Sequence, residues 1–230
     1  MSKKKIEQVR ERDEALALTV AMRAYFSSYH LWAASRFAES AATLESAAGR
    51  LPRFDIEHRA VVTINVLSSV AFLEAAINEL YQDAADGHMG YIAPLPSEAV
   101  RALAGAWAQG IDRLGMLQKY QVACHLTRAE PFDPGTEPFQ LAALLVRLRN
   151  ALVHYRPETR TAQDADSFER ALASRFPENA LMAGSKGNPY FPDKCLGAGC
   201  SSWAVETVRR FADGFFERLH IQPNYQRVKF

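Results

Sequence analysis

The sequence predicts an all-α protein, an up-and-down helical bundle with additional helices at its ends. Three observations support this. Apolar residues recur at helical spacing along most of the 230-residue chain. The stretches between them are rich in Gly and Pro, as loops are. No segment alternates apolar and polar residues as a half-buried strand does, and we find no internal repeat. Consecutive helices joined by such loops favour a bundle.

The first two helices are predicted from an apolar stripe and a capping residue. The stripe, expected to be buried, is formed by Leu18, Met22, Tyr25, Tyr29 and Trp32. It could instead form a dimer seam. Gly49 and Pro52 are expected to end this helix. Asp55 is predicted to cap a second helix that runs to about Asp83 and is apolar nearly all round, which is typical of a central, buried helix.

The later helices are predicted from their caps and breakers. Ser97 is expected to cap a short helix, and residues 111–125 continue in helical pattern. A leucine face follows, formed by Leu141, Leu144, Leu145, Leu148 and Leu152. Pro157 should end that helix because it lacks an N–H and disfavours helical geometry in Arg156. A short helix is predicted over residues 166–176. Ser201 or Ser202 should cap the last helix, whose predicted core face is Ala204, Val208, Phe211, Phe215 and Leu219.

Charge and hydropathy exclude several classes of protein. Lys and Arg number 27 against 26 Asp and Glu, so the chain is not a strongly basic protein that coats nucleic acid, although a local basic site is compatible with this balance. We expect residues 1–12 to be a flexible basic N-terminus and residues 13–222 to form one domain. No apolar core follows the N-terminal lysines, and the uncharged run over 60–73 is too short and polar to span a bilayer. A cytoplasmic protein without membrane contact is expected.

Metal and cofactor motifs are not found in the sequence. Cys124, Cys195 and Cys200 are an odd, sparse set, unlike a secreted disulfide framework. Cys195 and Cys200 could supply two metal ligands, but no nearby residue completes the set, so we interpret them as structural thiols. The histidines other than His154 are scattered and are interpreted as surface or structural residues. We expect no metal and no cofactor.

One segment, residues 148–157, combines residues that can bind an anion and move a proton. Asn150 and His154 are one helical turn apart, with Arg149 beside them. Residues 141–160 contain four Arg and one Glu, an excess that could hold a phosphate. The alternative is ordinary: basic residues near a helix C-terminus are stabilised by the helix dipole and are common on surfaces.

The pattern of Arg149, four residues and His154, with Asn150 after the Arg, resembles the R-x4-6-H motif of HEPN domains. These are all-α bundles, often toxins or defence ribonucleases. Residues 72–81 resemble the central helix of a HEPN-like group of uncharacterised proteins. The loop at 131–138 and the stretch from 194–197 to 203–204 are also similar, so the likeness covers roughly residues 15–220.

This resemblance implies metal-independent RNA cleavage by a homodimer whose two motifs form one composite site and leave 2′,3′-cyclic phosphates. On this hypothesis His154 moves protons, because imidazole titrates near neutrality. Arg149 clamps the phosphate and stabilises its developing charge. Asn150 orients either group or binds the phosphate, and Tyr155 and Arg156 contact the substrate. The implied partners are RNA, a second copy of the chain and a separately encoded antitoxin.

Two other functions stay open: an RNA- or nucleotide-binding module that does not cleave, and a structural or interaction dimer.

A second polar pair, Glu74 and Asn78, is predicted on the apolar central helix. A buried carboxylate needs a partner. If that partner is Arg149 or Arg147, Glu74 holds the motif arginine in place. The alternative is a core salt bridge unrelated to catalysis.

Overall fold

The structure is a computed structural model that describes residues 22–47, 53–159, 165–182 and 184–227. Within these ranges the chain is helical with connecting loops and contains no strand, which confirms the predicted all-α helical bundle. The α-helices are α1 (Phe26–Ala47), α2 (Ile56–Asp86), α3 (Ser97–Ala108), α4 (Met116–Thr127), α5 (Phe139–Val153), α6 (Ser167–Ala173) and α7 (Ala198–Arg218). Short 3-10 turns lie at Gly90–Ile92, Ile111–Arg113, Ala180–Met182 and Asn224–Arg227, and a π turn lies at Tyr190–Lys194.

Helix α2 is the centre of the bundle, as predicted. Helices α1, α3, α4, α5 and α7 all pack against it. The Asp55 carboxylate caps it by accepting the His58 N–H at 3.1 Å, and Gly87 ends it in the left-handed region at φ 65°. An 18-residue window of α2 is long and apolar enough to cross a membrane by length and composition alone, but half of this window is buried inside the protein.

The burial predicted for the apolar stripe of the first helix is wrong for three of its described residues, whereas Tyr25 packs against the core. The alternative, that the stripe forms a dimer seam, stays a prediction. Helix α1 begins at Phe26, so Met22 and Tyr25 precede it. The side chains of Met22, Tyr29 and Trp32 are 90%, 61% and 49% exposed. Leu18, Gly49 and Pro52 lie outside the described residues, as does the predicted N-terminus over 1–12.

Polar contacts with α2 explain which face of α1 is buried. That face consists of Ser27, Leu31, Ala34 and Ala41. The Glu79 carboxylate accepts the Ser27 N–H at 2.8 Å and its hydroxyl at 2.6 Å. The Asn65 amide donates to the carbonyl of Ala34 at 2.7 Å. These bonds satisfy polar groups at the interface, so small and polar residues of α1 face the core in place of the aromatic ones.

Helix α5 matches its prediction. Leu141, Leu145 and Leu148 are buried, and Leu144 and Leu152 are partly buried. The helix ends at Val153, before Pro157. Asp166 caps the shorter helix α6 by accepting the Glu169 N–H at 2.8 Å.

Helix α7 begins earlier than predicted, at Ala198, so capping by Ser201 or Ser202 is wrong. The Glu45 carboxylate of α1 accepts the Ala198 N–H at 2.6 Å and thus takes the place of a local cap. The predicted core face of α7 is buried throughout: Ala204, Val208, Phe211, Phe215 and Leu219.

Candidate functional site

The C-terminal end of α5 positions the sequence motif. Leu145 and Leu148 are fully buried and hold this helix against the core. His154 occupies the position after the last helical residue, and its backbone N–H donates to the Asn150 carbonyl at 2.9 Å. The side chains of Asn150 and His154 are both exposed, whereas Arg149 is half-buried.

Arg149 and His154 line different cavities. Five residues correspond to about 140° around a helix, so the two side chains leave α5 in different directions. His154 lines a cavity of about 220 Å³ together with Tyr155, Arg156 and Phe191. Within one chain, the structure does not bring the Arg and the His of the motif into the same cavity.

Arg149 lines a larger space, which we call the α1–α5 groove, with a volume of about 450 Å³. Its lining comes from α1, α2 and α5 and consists of His30, Leu67, Val70, Ala71, Glu74, Ala75, Arg149 and Val153. The Arg149 Nε is buried and has no hydrogen-bond partner among the described residues.

His30 is a groove residue that sequence reasoning missed. It lies in the first half of α1, is half-buried, and faces the same cavity as Arg149. Burial lowers the pKa of its imidazole below the usual 6.5. The two residues are far apart in the sequence, so no local spacing could have indicated that they line one cavity.

The partner of Glu74 is Lys119 of α4, so the predicted pairing with Arg149 or Arg147 is wrong. The Lys119 ammonium group donates to the Glu74 carboxylate and, at 2.9 Å, to the Asn78 side-chain oxygen. Only 3% of the Lys119 side chain is exposed. Glu74 thus forms the core salt bridge that was the alternative interpretation, although it also lines the groove.

Arg147 points away from the groove. Its guanidinium carbon lies 4.5 Å from the ring centroid of Phe168 on α6, a cation–π contact. Arg147 and Arg149, two residues apart on α5, therefore have different surroundings.

The surface around His154 combines polar and apolar groups. Val153 and Tyr155 are 53% and 50% exposed, and Arg156 is exposed beside them. The centroids of the Tyr155 and Phe191 rings are 6.3 Å apart. Half of the Tyr155 side chain is exposed to solvent. The roles of Tyr155 and Arg156 in substrate contact stay predictions.

All three cysteines are free and fully buried. Burial raises the pKa of Cys124 to about 11. The pKa of Cys195 is raised well above its usual value by its hydrogen bond with Cys200 and by burial. In the part of the chain that the structure describes, no group of three or more His, Cys, Asp or Glu residues could hold a metal ion.

No family model, curated protein or solved structure matches this chain.

Proposed function

We propose that the protein is a metal-independent endoribonuclease of the HEPN type that acts as a cytoplasmic homodimer. The observation that supports this is the exposed end of α5. There Asn150, His154 and Arg156 stand in solvent beside half-exposed Val153 and Tyr155. Exposed apolar side chains surrounded by polar groups are found on surfaces that meet a partner. A two-fold dimer across this surface would bring two copies of the motif together.

The reaction needs a base, an acid and positive charge. A ribose 2′-hydroxyl attacks the adjacent phosphorus, the new P–O bond closes a 2′,3′-cyclic phosphate, and the bond to the 5′-oxygen breaks. One His154 accepts the hydroxyl proton, and its counterpart in the other chain protonates the leaving oxygen. Arg149 stabilises the charge on the phosphoryl oxygens. Asn150 orients these groups or binds the phosphate. A separately encoded antitoxin would be the partner that restrains such an enzyme.

A second candidate is an RNA-binding module that does not cleave. The observation that favours it is the separation of Arg149 and His154 into different cavities of one chain. This candidate predicts RNA affinity that falls as salt rises, without turnover.

The experiment is RNA cleavage in EDTA by the parent chain and two histidine variants. We expect the parent to release fragments with cyclic phosphate ends. His154→Ala should lower the rate by about 100-fold or more, because proton transfer contributes at least that much. The matched control is His125→Ala, which removes an exposed histidine from the last turn of α4 and should cleave at the parental rate.

Undiminished cleavage by His154→Ala would refute the ribonuclease proposal. Salt-sensitive RNA binding without any cleavage would establish the second candidate in its place. Light scattering on Arg149→Ala adds a separate readout: a shift to monomer would mean that the motif stabilises the dimer.

A further inference from the structure

The cavity beside His154 has room for one ring of a larger molecule. Its volume of about 220 Å³ is below the roughly 300–1,000 Å³ of pockets that enclose a whole small molecule. An occupant therefore inserts one group and extends over the surface with the rest. The lining comes from the end of α5, the segment after it and the π turn, and consists of Ala151, His154, Tyr155, Arg156, Glu158 and Phe191.

Two aromatic rings favour a flat occupant. Phe191 is only 7% exposed. Its turn is held by Asp193, which accepts from Arg59 of α2 at 2.9 Å and from Asn188 at 2.8 Å. The Tyr155 ring has its centroid 6.3 Å from that of Phe191 and is half exposed. One wall of the cavity is thus fixed and the other presents a ring to solvent, and aromatic rings on such surfaces stack on nucleobases.

The charged groups of the cavity are free to meet an occupant. Neither Arg156 nor Glu158 forms a hydrogen bond or an ion pair with another residue that the structure describes, and both side chains are exposed. A guanidinium group at Arg156 can bind a backbone phosphate, which adds affinity without distinguishing bases. The Glu158 carboxylate only accepts hydrogen bonds, so it selects a ring that carries donors.

A carboxylate distinguishes guanine from the other RNA bases. On its Watson–Crick edge guanine presents two adjacent donors, N1–H and the N2 amino group, one for each carboxylate oxygen. Adenine and cytosine present one amino group beside an acceptor nitrogen, and uracil presents one N–H between two carbonyl oxygens. In these three bases an acceptor faces the negative charge, which is unfavourable.

We infer that Glu158 selects guanine as the base of the nucleotide whose 2′-hydroxyl reacts in the proposed cleavage. The guanine ring stacks on Tyr155 and Phe191, and its ribose lies towards His154, which lines the same cavity. This inference rests on the proposed ribonuclease function and adds to it a base preference and the residue that sets it.

The first experiment measures binding without cleavage. The probes are short oligouridines with 2′-O-methyl groups, which lack the attacking hydroxyl, and with one varied base at the centre. We expect guanine to bind about tenfold or more tightly than hypoxanthine, which differs from guanine only by lacking the N2 amino group, as loss of a hydrogen bond to a charged group implies. Glu158→Gln should bring the two affinities within about threefold of each other, because its acceptor is neutral.

Two further variants separate base selection from stacking and from general charge. Tyr155→Ala removes the exposed ring and should weaken all probes by about fivefold or more, with the ratio of guanine to hypoxanthine retained. The matched control is Glu130→Gln, which neutralises an exposed carboxylate in the loop after α4 and should leave that ratio unchanged. Thermal melting verifies that each variant is folded.

The second experiment measures cleavage of DNA strands that contain one ribonucleotide, in which only one phosphodiester has a neighbouring 2′-hydroxyl. The parent should cleave after riboguanosine about tenfold or more faster than after riboinosine. Glu158→Gln should lose this preference and keep its rate after riboinosine, whereas a merely structural role of Glu158 would lower both rates equally.

The two readouts separate failure of this inference from failure of the proposed function. Equal binding of guanine and hypoxanthine by the parent, or an unchanged preference in Glu158→Gln, would overturn the inference even if RNA is cleaved. Guanine-selective binding that Glu158→Gln abolishes, without any cleavage, would support selection by Glu158 and refute the ribonuclease proposal. No binding of any probe would overturn both.

Discussion

Lys119 of α4 donates to both Glu74 and Asn78, which lie one turn apart on α2, and the two ends of this ion pair differ in burial. The Lys119 side chain is 3% exposed, whereas that of Glu74 is 38% exposed and faces the α1–α5 groove. Loss of the Glu74 carboxylate would leave the Lys119 charge unpaired in the core. Loss of the Lys119 ammonium group would leave the Glu74 charge, which solvent can reach.

This asymmetry predicts unequal stability effects. Glu74→Gln should lower the free energy of unfolding by about 2 kcal/mol, because the buried Lys119 ammonium group then has only neutral acceptors. This cost is smaller than for a fully buried ion pair, because the Glu74 side chain is partly exposed. Lys119→Met should cost less than about 1 kcal/mol, since Met fills a similar volume and Glu74 can be solvated. Urea unfolding measures both. Arg128→Gln, from an exposed ion pair with Glu98, is the control and should have almost no effect. A larger loss for Lys119→Met than for Glu74→Gln would contradict this prediction.

Stability should depend on pH through His30. Burial lowers the pKa of His30 in the folded protein below the usual 6.5. The unfolded chain therefore binds this proton more readily than the folded protein does, and protonation favours unfolding. We expect the free energy of unfolding of the parent, relative to that of His30→Gln, to fall as pH is lowered from about 8 to about 5. Urea unfolding at each pH measures both proteins, and a difference that is constant with pH would contradict the prediction.

The cysteines should be unreactive in the folded protein. Burial raises the pKa of Cys124 to about 11, and the hydrogen bond with Cys200 together with burial raises that of Cys195. The side chains of all three cysteines are inaccessible. Since the thiolate is the reactive form, a thiol reagent near neutral pH should label no cysteine in the native protein and all three in denaturant. Mass spectrometry counts the labels. Rapid native labelling of Cys195 or Cys200 would contradict the interpretation of these residues as structural thiols.

The features that sequence predicted correctly depend on near neighbours. The Asp55 cap is a contact with the backbone of His58, and Pro157 acts on the turn before it. The leucine face of α5 and the predicted core face of α7 follow from helical periodicity, because apolar residues recur three and four positions apart. Caps and periodicity act over a few residues, so the local sequence indicates them wherever contacts with other helices do not override the pattern, as they do on α1.

The features that sequence missed depend on side chains brought together from different helices. Glu79 and Asn65 of α2 determine which face of α1 is buried. Glu45 of α1 caps the start of α7. Lys119 of α4 is the partner of Glu74. His30 and Arg149 share a groove because both of their helices pack on α2. The sequence by itself determined that the chain forms helices and which residues end several of them, because backbone hydrogen bonds and caps act within one turn. Only the tertiary structure decided which polar side chains meet, because each such pairing joins residues that are distant in the chain and is selected by the packing of whole helices.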